Sequence, residues 1–168
     1  MEIFMLSEEE IIEQLDILNE ILESKEIIKL YEDKILSLKS PRLSYYFAKN
    51  IEGANIKAHE KIVTESKNPR YNYHFAKDVE EADVKAHGQV VIDSKDTLYN
   101  YLFARFVEGA DVKAHEKVII ESKNPEYKYL FARDVKGADI QSHKEVISNV
   151  EETKKKLNKM LDLELMKI

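Results

Sequence analysis

Four histidines occupy one position of a repeating pattern, and each could act as a general base. His59, His87, His115 and His143 all follow an Asn or Asp by four residues. A carboxylate beside an imidazole can orient the ring for proton transfer. A catalytic centre combines different groups in one place, whereas this pattern supplies the same group once in each repeat. Helical periodicity also places every ring at the middle of an apolar stripe, which predicts a structural role in the core.

The same histidines do not predict a metal site. Zinc takes three or four ligands from Cys, His or carboxylates, and here neither an HxxxH pair nor any Cys accompanies the histidines. The absence of Cys also excludes disulfides, thiolate nucleophiles and iron–sulfur clusters. Gly-rich phosphate loops, GxSxG elbows and paired-carboxylate helix motifs are missing as well. We therefore predict no catalytic residue, no cofactor and no metal, and an enzyme built on Asp–His pairs is the least favoured of three hypotheses.

A second set of residues combines aromatic and basic side chains. In every repeat a Tyr precedes a Lys or Arg by four residues, which places both on one flank of a helix. Such pairs suit acidic peptide segments, phosphates or stacked bases. We predict partner contacts on this flank, at Tyr73, Lys77, Tyr101, Arg105, Tyr129 and Arg133. The alternative is that each Tyr packs between neighbouring repeats, with the basic stem covering it.

Two further features extend the predicted binding surface. The sixth position of the repeat varies and holds Tyr46, His74, Leu102 and Leu130. Variation within a regular frame is where partner specificity could be encoded, although an unconstrained surface varies too. Phe106 stands where the other repeats have Asn or Asp, and an apolar ring at a polar position can mark a contact. Tyr46, His74, Leu102 and Phe106 therefore join the predicted binding residues.

These residues recur because residues 41–148 are four copies of one 28-residue unit. A fixed period of this size predicts stacked structural repeats. Each copy contains two short helices, and the predicted helix caps are Ser40, Asn55, Asn68, Asp83, Asp96, Asp111, Asn124 and Asp139. Two short helices cannot cover their own apolar face, so the copies must stack. We predict an all-α fold, an α-solenoid of stacked short helical hairpins.

The ends of the chain are predicted to cap this solenoid within a single domain spanning residues 1–168. Residues 7–40 read as an N-terminal capping hairpin that opens with a Ser7–Glu10 capping box. Its second helix should turn an apolar stripe inward, made of Ile28, Tyr31, Ile35 and Leu38. Residues 149–168 read as a C-terminal capping helix. Its predicted inward residues are Val150, Leu157, Met160 and Leu161, and its outward residues are Lys154, Lys155, Lys156 and Lys159.

Composition limits the partners and the compartment. The net charge of −6 argues against nonspecific binding to nucleic acid, which needs a concentrated basic face. No apolar run approaches the roughly 20 residues that span a bilayer. The apolar start at residues 1–6 is too short for a signal peptide and lacks its basic flank. Cytoplasmic residence is therefore expected, with no membrane contact. The apolar segment 161–168 could mediate homo-oligomer formation.

The strongest copy of the repeat lies at residues 101–116, which read YLFARFVEGADVKAHE. This string resembles the YxFAxxVxGADIKAxE tandem repeats of uncharacterised proteins from bacteriophages and low-GC bacteria. The resemblance covers residues 41–148 and implies a phage or bacterial setting, with the host cytoplasm as the compartment of a phage protein. Those proteins often have Leu in the histidine position, which implies that the histidines serve packing. The resemblance carries no activity.

Together these features predict a noncatalytic protein–protein interaction module. The specific role that we expect is a phage-encoded inhibitor of a host defence enzyme, comparable to an anti-CRISPR protein, which acts by occupying a surface. The alternative is a helical-repeat protein that binds single-stranded nucleic acid along the Tyr and basic flank. Surface charge separates the two, because a continuous basic groove would favour nucleic acid and alternating charge would favour protein.

Overall fold

The computed structural model describes residues 7–21, 25–149, 155–156 and 159–160, and all regular secondary structure in these ranges is helical. The all-α prediction is therefore confirmed. In chain order the elements are α1 Glu8–Ile21, α2 Lys25–Leu38, α3 Pro41–Asn50, α4 Ile56–Glu65, α5 Pro69–Asp78, α6 Val84–Ser94, α7 Thr97–Phe106, α8 Val112–Glu121, α9 Pro125–Asp134, a 3-10 turn Ile140–His143 and α10 Lys144–Ser148.

The contacts between residues divide the chain into two compact units, residues 1–90 and residues 91–168, and the boundary falls within α6. In the first unit α3 packs against α1, α4 and α5. In the second unit α7 packs against α8 and α9. Neighbouring helices thus pair as the hairpin prediction requires, while the single domain over residues 1–168 stays a prediction.

Capping side chains start the helices at the predicted residues. Each accepts a hydrogen bond from a backbone N–H of the first helical turn, which would otherwise have no partner. Such bonds are made by Ser40, Asn55, Asn68, Asp83, Asp96, Asp111 and Asp139. Asn124 is the exception, because α9 begins after it without a side-chain cap bond. At the N-terminus the Ser7–Glu10 capping box is confirmed, with reciprocal bonds of 2.7 Å and 3.3 Å.

Two kinds of turn join the helices. Within a hairpin the predicted glycines reverse the chain at φ values of 79°, 80° and 92°, at Gly53, Gly109 and Gly137. Between hairpins the same left-handed conformation falls on a lysine, and Lys39, Lys67 and Lys95 have φ values of 52°, 53° and 54°. A side chain with a Cβ atom adopts this conformation at a cost of about 1 kcal/mol, so packing of the flanking helices holds these three turns in place.

The core of the first unit begins under the N-terminal hairpin. Ile11, Leu15 and Ile35 pack with Leu43 and Phe47 in one buried cluster, so α1 and α2 cover α3. This covering is what the capping-hairpin prediction requires. The prediction was wrong for one residue of this hairpin, because Leu38 was expected to face inward and is 45% exposed. Position 38 lies in the last turn of α2, and the matching Ser66 and Ser94 are exposed too, since the helix ends leave the apolar interface there.

The second unit has its own buried cluster, which contains Tyr101, Ala104, Ile119, Tyr127, Leu130, Phe131 and Val135. Met160 packs against this cluster, while Lys155, Lys156 and Lys159 are exposed. These four positions agree with the predicted capping segment. Lys154, Val150, Leu157 and the segment 161–168 lie outside the described residues. The helix expected after Asp139 starts with the 3-10 turn Ile140–His143 and continues into α10 only from Lys144.

Candidate functional site

The four repeated histidines lie inside the fold. Their exposed fractions are 0% for His59, His87 and His115 and 1% for His143. Each ring faces a buried Phe of the preceding helix, at centroid distances of 5.0, 4.9, 4.8 and 5.9 Å along the chain. The prediction that the histidines are buried is confirmed, and solvent or substrate has no direct access to the rings.

Buried asparagines fix two of these rings. The side-chain amide of Asn72 donates to the carbonyl oxygens of Val63 (3.0 Å) and Asn68 (2.8 Å). Its Oδ1 is therefore an acceptor, and it lies 2.7 Å from Nδ1 of His87. Because an acceptor needs a donor opposite, Nδ1 of His87 carries the proton. Asn100 makes the equivalent arrangement with His115 in the second unit.

Glutamates hold the other two rings from the opposite side. Oε1 of Glu116 accepts a hydrogen bond from Nε2 of His143 (3.0 Å) and another from the backbone N–H of Asp139 (2.7 Å). Glu32 does the same for Nε2 of His59 at 3.2 Å. One buried carboxylate thus joins a core histidine to the residue that caps the next helix. This bridge is a structural device, and it leaves neither partner free for proton transfer to a substrate.

Burial lowers the pKa of three of the histidines. For His59 and His87 the desolvation of the ring is the main cause, and the nearby Glu32 and Glu60 partly offset it. For His115 burial lowers the pKa to about 4, with only Asp111 opposing. These rings are neutral at pH 7 because an imidazolium would have to enter a core with low polarity.

Three of the four repeated tyrosines, Tyr45, Tyr73 and Tyr101, are buried as well, and this corrects part of the predicted binding surface. Tyr73 and Tyr101 are only 6% and 4% exposed, so their rings cannot supply the main contacts of a partner. The hydroxyl of Tyr101 donates to Asp134 at 2.8 Å, and the hydroxyl of Tyr45 donates to Asp78 at 2.5 Å. Burial and the Asp134 bond raise the pKa of Tyr101 to about 12. The alternative interpretation, in which each Tyr packs inside the fold, describes these residues.

The basic members of the flank remain exposed, but each lies beside an aspartate. In the first unit the Nζ atoms of Lys49 and Lys77 are 3.8 Å and 3.6 Å from Asp78. In the second unit Arg105 lies 3.0 Å from Asp134, and Arg133 donates to Asp134 at 2.6 Å and 2.7 Å. The Arg133 bonds lower the pKa of Asp134, so the carboxylate is ionised at pH 7.

In the first unit the variable sixth positions complete a row of aromatic rings. The ring centre of Tyr46 lies 5.1 Å from that of Tyr45. The ring centre of His74 lies 5.6 Å from that of Tyr45 and 5.0 Å from that of Tyr73. Tyr46 and His74 are half-buried, and the Nζ atom of the exposed Lys77 lies 5.8 Å from the centre of the Tyr73 ring. We call the rings of Tyr46 and His74, together with the cation of Lys77, the aromatic row. It is the part of the predicted surface that the first unit leaves accessible.

In the second unit the accessible residues are mainly basic and apolar. Phe106 is 47% exposed, and the guanidinium of Arg105 lies 4.7 Å from the centre of its ring. Arg133 stacks in the same way on the half-buried Tyr129, at 5.6 Å. Leu102 is half-buried, whereas Leu130 at the matching position is 3% exposed. The structure therefore leaves Leu102, Arg105, Phe106, Tyr129 and Arg133 available for contact in this unit.

Other kinds of site were sought in the described part of the chain. No group of three His, Cys, Asp or Glu side chains there could hold a metal ion. No helix within the described ranges has the length and apolarity to cross a membrane. A cavity of about 380 Å³ in the second unit is lined by lysines and glutamates, including Lys123, Lys128 and Glu145, and it contains none of the predicted binding residues.

No family model, curated protein or solved structure matches this chain. The residues that sequence reasoning missed are the partners of the buried rings. Glu32 and Glu116 stand 27 residues before His59 and His143, and Asp78 and Asp134 stand 33 residues after Tyr45 and Tyr101. A search for polar residues at offsets close to one repeat could have found these pairs.

Proposed function

We propose that this protein is a noncatalytic protein-binding module, built as an α-solenoid of four 28-residue repeats with a capping segment at each end. The alternation of charge along the Tyr and basic flank carries this proposal. Asp78 stands beside Lys49 and Lys77, and Asp134 stands beside Arg105 and Arg133. A nucleic-acid groove needs uncompensated positive charge along its length, whereas alternating charges suit a protein surface.

The internal use of the repeated polar groups also favours a binding module over an enzyme. Catalysis needs a nucleophile or base that can reach a substrate. Here the four repeated imidazoles are buried, and the hydroxyls of Tyr45 and Tyr101 donate to aspartates. The repeats thus devote their recurring chemistry to holding hairpins together. Recognition is left to the exposed members of the Tyr and basic flank and to the positions that differ between repeats.

We assign partner contact to two patches. One is the aromatic row of the first unit, and the other consists of Leu102, Arg105, Phe106, Tyr129 and Arg133 in the second unit. Both combine rings with cationic groups, the residue types that dominate the energetics of protein interfaces. The wider setting follows from the resemblance to phage and bacterial repeats. In that setting the partner is a host defence enzyme, and the module inhibits it by occupying its surface.

An affinity capture tests the proposal. Tagged full-length protein is incubated with a lysate of low-GC bacteria, with and without nuclease. A captured protein that survives nuclease treatment and moderate salt is the expected result. Two results would favour the single-stranded nucleic-acid alternative. Capture would disappear after nuclease treatment, and a labelled oligothymidine would bind tightly and with a strong dependence on salt.

Matched variants then locate the surface. The double variant Tyr46→Ala/His74→Ala and the single variant Phe106→Ala should each weaken binding by about 1–3 kcal/mol. Lys113→Glu on α8 is the control, because Lys113 is exposed and belongs to neither patch. Each variant is first checked for an unchanged melting temperature. Binding that is lost in Lys113→Glu and kept in the other two variants would place the surface elsewhere.

A further inference from the structure

Each of the four repeated histidines has one buried ring nitrogen without a hydrogen-bond partner among the described residues, Nδ1 in His59 and His143 and Nε2 in His87 and His115. His115 differs from the other three because no carboxylate of the described residues forms an ion pair with its ring. Its Nδ1 donates to Oδ1 of Asn100 at 2.8 Å, because the Asn100 amide already donates to the carbonyls of Val91 and Asp96. The opposite nitrogen, Nε2, is buried and has no hydrogen-bond partner. A neutral ring tolerates this, since Nε2 then carries only a lone pair. A second proton would create a buried N–H with no acceptor.

The surroundings of His115 contain little that could offset a positive charge. The groups that touch the ring from α7 are Asn100 and Phe103, both uncharged. The residue that caps α8, Asp111, is the charge that acts on the ring, and it is exposed to solvent. In contrast, His143 has Glu116 at 3.0 Å in the same unit.

The first unit supplies a carboxylate to each of its repeated histidines. His59 has Glu32 at 3.2 Å, and His87 has Glu60 at 3.5 Å. At 3.5 Å, Nε2 of neutral His87 makes no hydrogen bond, but protonation of that nitrogen would turn the contact into a charged pair. A proton taken up in the first unit therefore meets a negative charge, which reduces the destabilisation that it causes.

We propose that His115 is an acid-sensitive latch, whose protonation opens the α7–α8 hairpin of the second unit while the hairpins of the first unit stay closed. The trigger is a proton on Nε2 of His115, the one repeated ring whose charge no carboxylate of the described residues pairs with. Opening would disrupt the patch that contains Arg105 and Phe106 on α7. The release of a partner from this patch rests on the function proposed above, whereas the latch itself does not.

The direction of the pH effect follows from where the proton binds. The pKa of His115 is about 4 in the folded protein and has its ordinary value of 6.5 when the hairpin is open. Open forms therefore take up the proton first as the pH falls. The contribution of the neutral His115 ring to the stability of the hairpin is fully present above about pH 6.5. It decreases between pH 6.5 and 4 and does not change further below pH 4. From pH 7 to pH 5 the two pKa values give an increase of about 20-fold in the opening equilibrium.

Hydrogen exchange measured by mass spectrometry on the full chain tests the latch. Exchange is recorded at about pH 7 and pH 5 and corrected for the intrinsic effect of pH on amide exchange. The opening equilibrium measured on peptides from residues 97–121 should rise about 20-fold from pH 7 to pH 5, and that of residues 41–65 should rise much less. His115→Leu should remove the excess in residues 97–121, whereas the control His143→Leu should retain it.

Several outcomes would overturn the latch. One is an equal or larger loss of protection in residues 41–65, and another is an unchanged excess in a folded His115→Leu protein. Should His115→Leu fail to fold, the NMR titration of the His115 ring in the unchanged protein decides instead. A pKa below about 5 supports the latch, and a pKa of 6.5 or higher contradicts it. Because no partner enters these measurements, a failure of the proposed binding function would be seen separately, as absent capture at pH 7.

Discussion

At the scale of single residues, the four repeated imidazole rings occur as two different neutral tautomers. Oδ1 of Asn72 and Asn100 can only accept, so His87 and His115 carry the proton on Nδ1. The carboxylate of Glu116 can likewise only accept from His143, and Glu32 from His59, so these two rings carry it on Nε2. The ring nitrogen that the acceptor faces, Nδ1 in one pair and Nε2 in the other, thus decides the tautomer within one repeated motif.

Nitrogen-15 NMR at mildly alkaline pH checks this division. Long-range proton–nitrogen spectra should show His87 and His115 as the Nδ1–H tautomer and His59 and His143 as the Nε2–H tautomer. Free histidine in the same buffer provides the reference, because Nδ1 of the half-exposed His74 lies 3.8 Å from the Asp78 carboxylate. A single tautomer for all four buried rings would contradict the asparagine and glutamate assignments.

The hydroxyl of Tyr101 should contribute measurably to stability. Tyr101→Phe removes its hydrogen bond to Asp134 and should lower the free energy of unfolding by about 1–2 kcal/mol in urea titrations. Tyr129→Phe is the matched control, because that ring is half-buried and its contact with Arg133 survives the change. Tyr101→Ala should cost about 3–5 kcal/mol through the cavity it leaves. Full stability of Tyr101→Ala would restore the ring to the partner surface.

Sequence reasoning placed the histidines well and the tyrosines poorly, for one physical reason. The angular position of His87 on its own helix puts it on the apolar stripe, and that position alone buries it. Tyr101 lies off the main stripe of its helix, and what buries it is contact with the next hairpin, including Tyr127 at 6.0 Å. Helical periodicity describes one helix at a time, so it cannot show which flank a neighbouring hairpin covers.

At the scale of the elements, the caps offer a direct comparison. Asp111 accepts a hydrogen bond from the Ala114 N–H at 3.1 Å, while Asn124 makes no side-chain cap bond. Asp111→Ala should therefore lower the free energy of unfolding by about 1 kcal/mol, and Asn124→Ala should change it by less than about 0.5 kcal/mol. Thermal melts at one pH measure both. Equal losses would mean that Asn124 caps α9 in solution.

The boundaries of the helices were predictable from these capping residues, because a cap acts locally and has a distinct residue type. The segment after Asp139 was less predictable. Its cap is present and bonded to the Gln141 N–H, yet a 3-10 turn follows in place of a regular helix. Ile140 is 50% exposed there, so it does not hold this turn of the chain against the core.

At the scale of the whole molecule, the N-terminal hairpin should be required for solubility. Deletion of residues 1–39 removes α1 and α2 and uncovers Leu43, Phe47 and Ile51, which they bury. The truncated protein should self-associate, because its first remaining hairpin would present this apolar face to water. Size-exclusion chromatography with light scattering measures the result. A monomeric truncated protein with an unchanged melting temperature would show that the hairpin is dispensable.

The bonds that join the hairpins have one more consequence, for how such a gene can change in length. The carboxylate bridges connect residues 27 apart and the tyrosine–aspartate bonds connect residues 33 apart, so every one of them links a repeat only to its immediate neighbour. Duplication or loss of 28 codons keeps the bonding positions of neighbouring repeats in register at the new junction. Gain or loss of 27 or 29 codons would misalign both the carboxylate bridges and the tyrosine–aspartate bonds. Recombination between copies can therefore change the number of repeats in whole steps, and a longer or shorter protein can arise without any new bonding scheme.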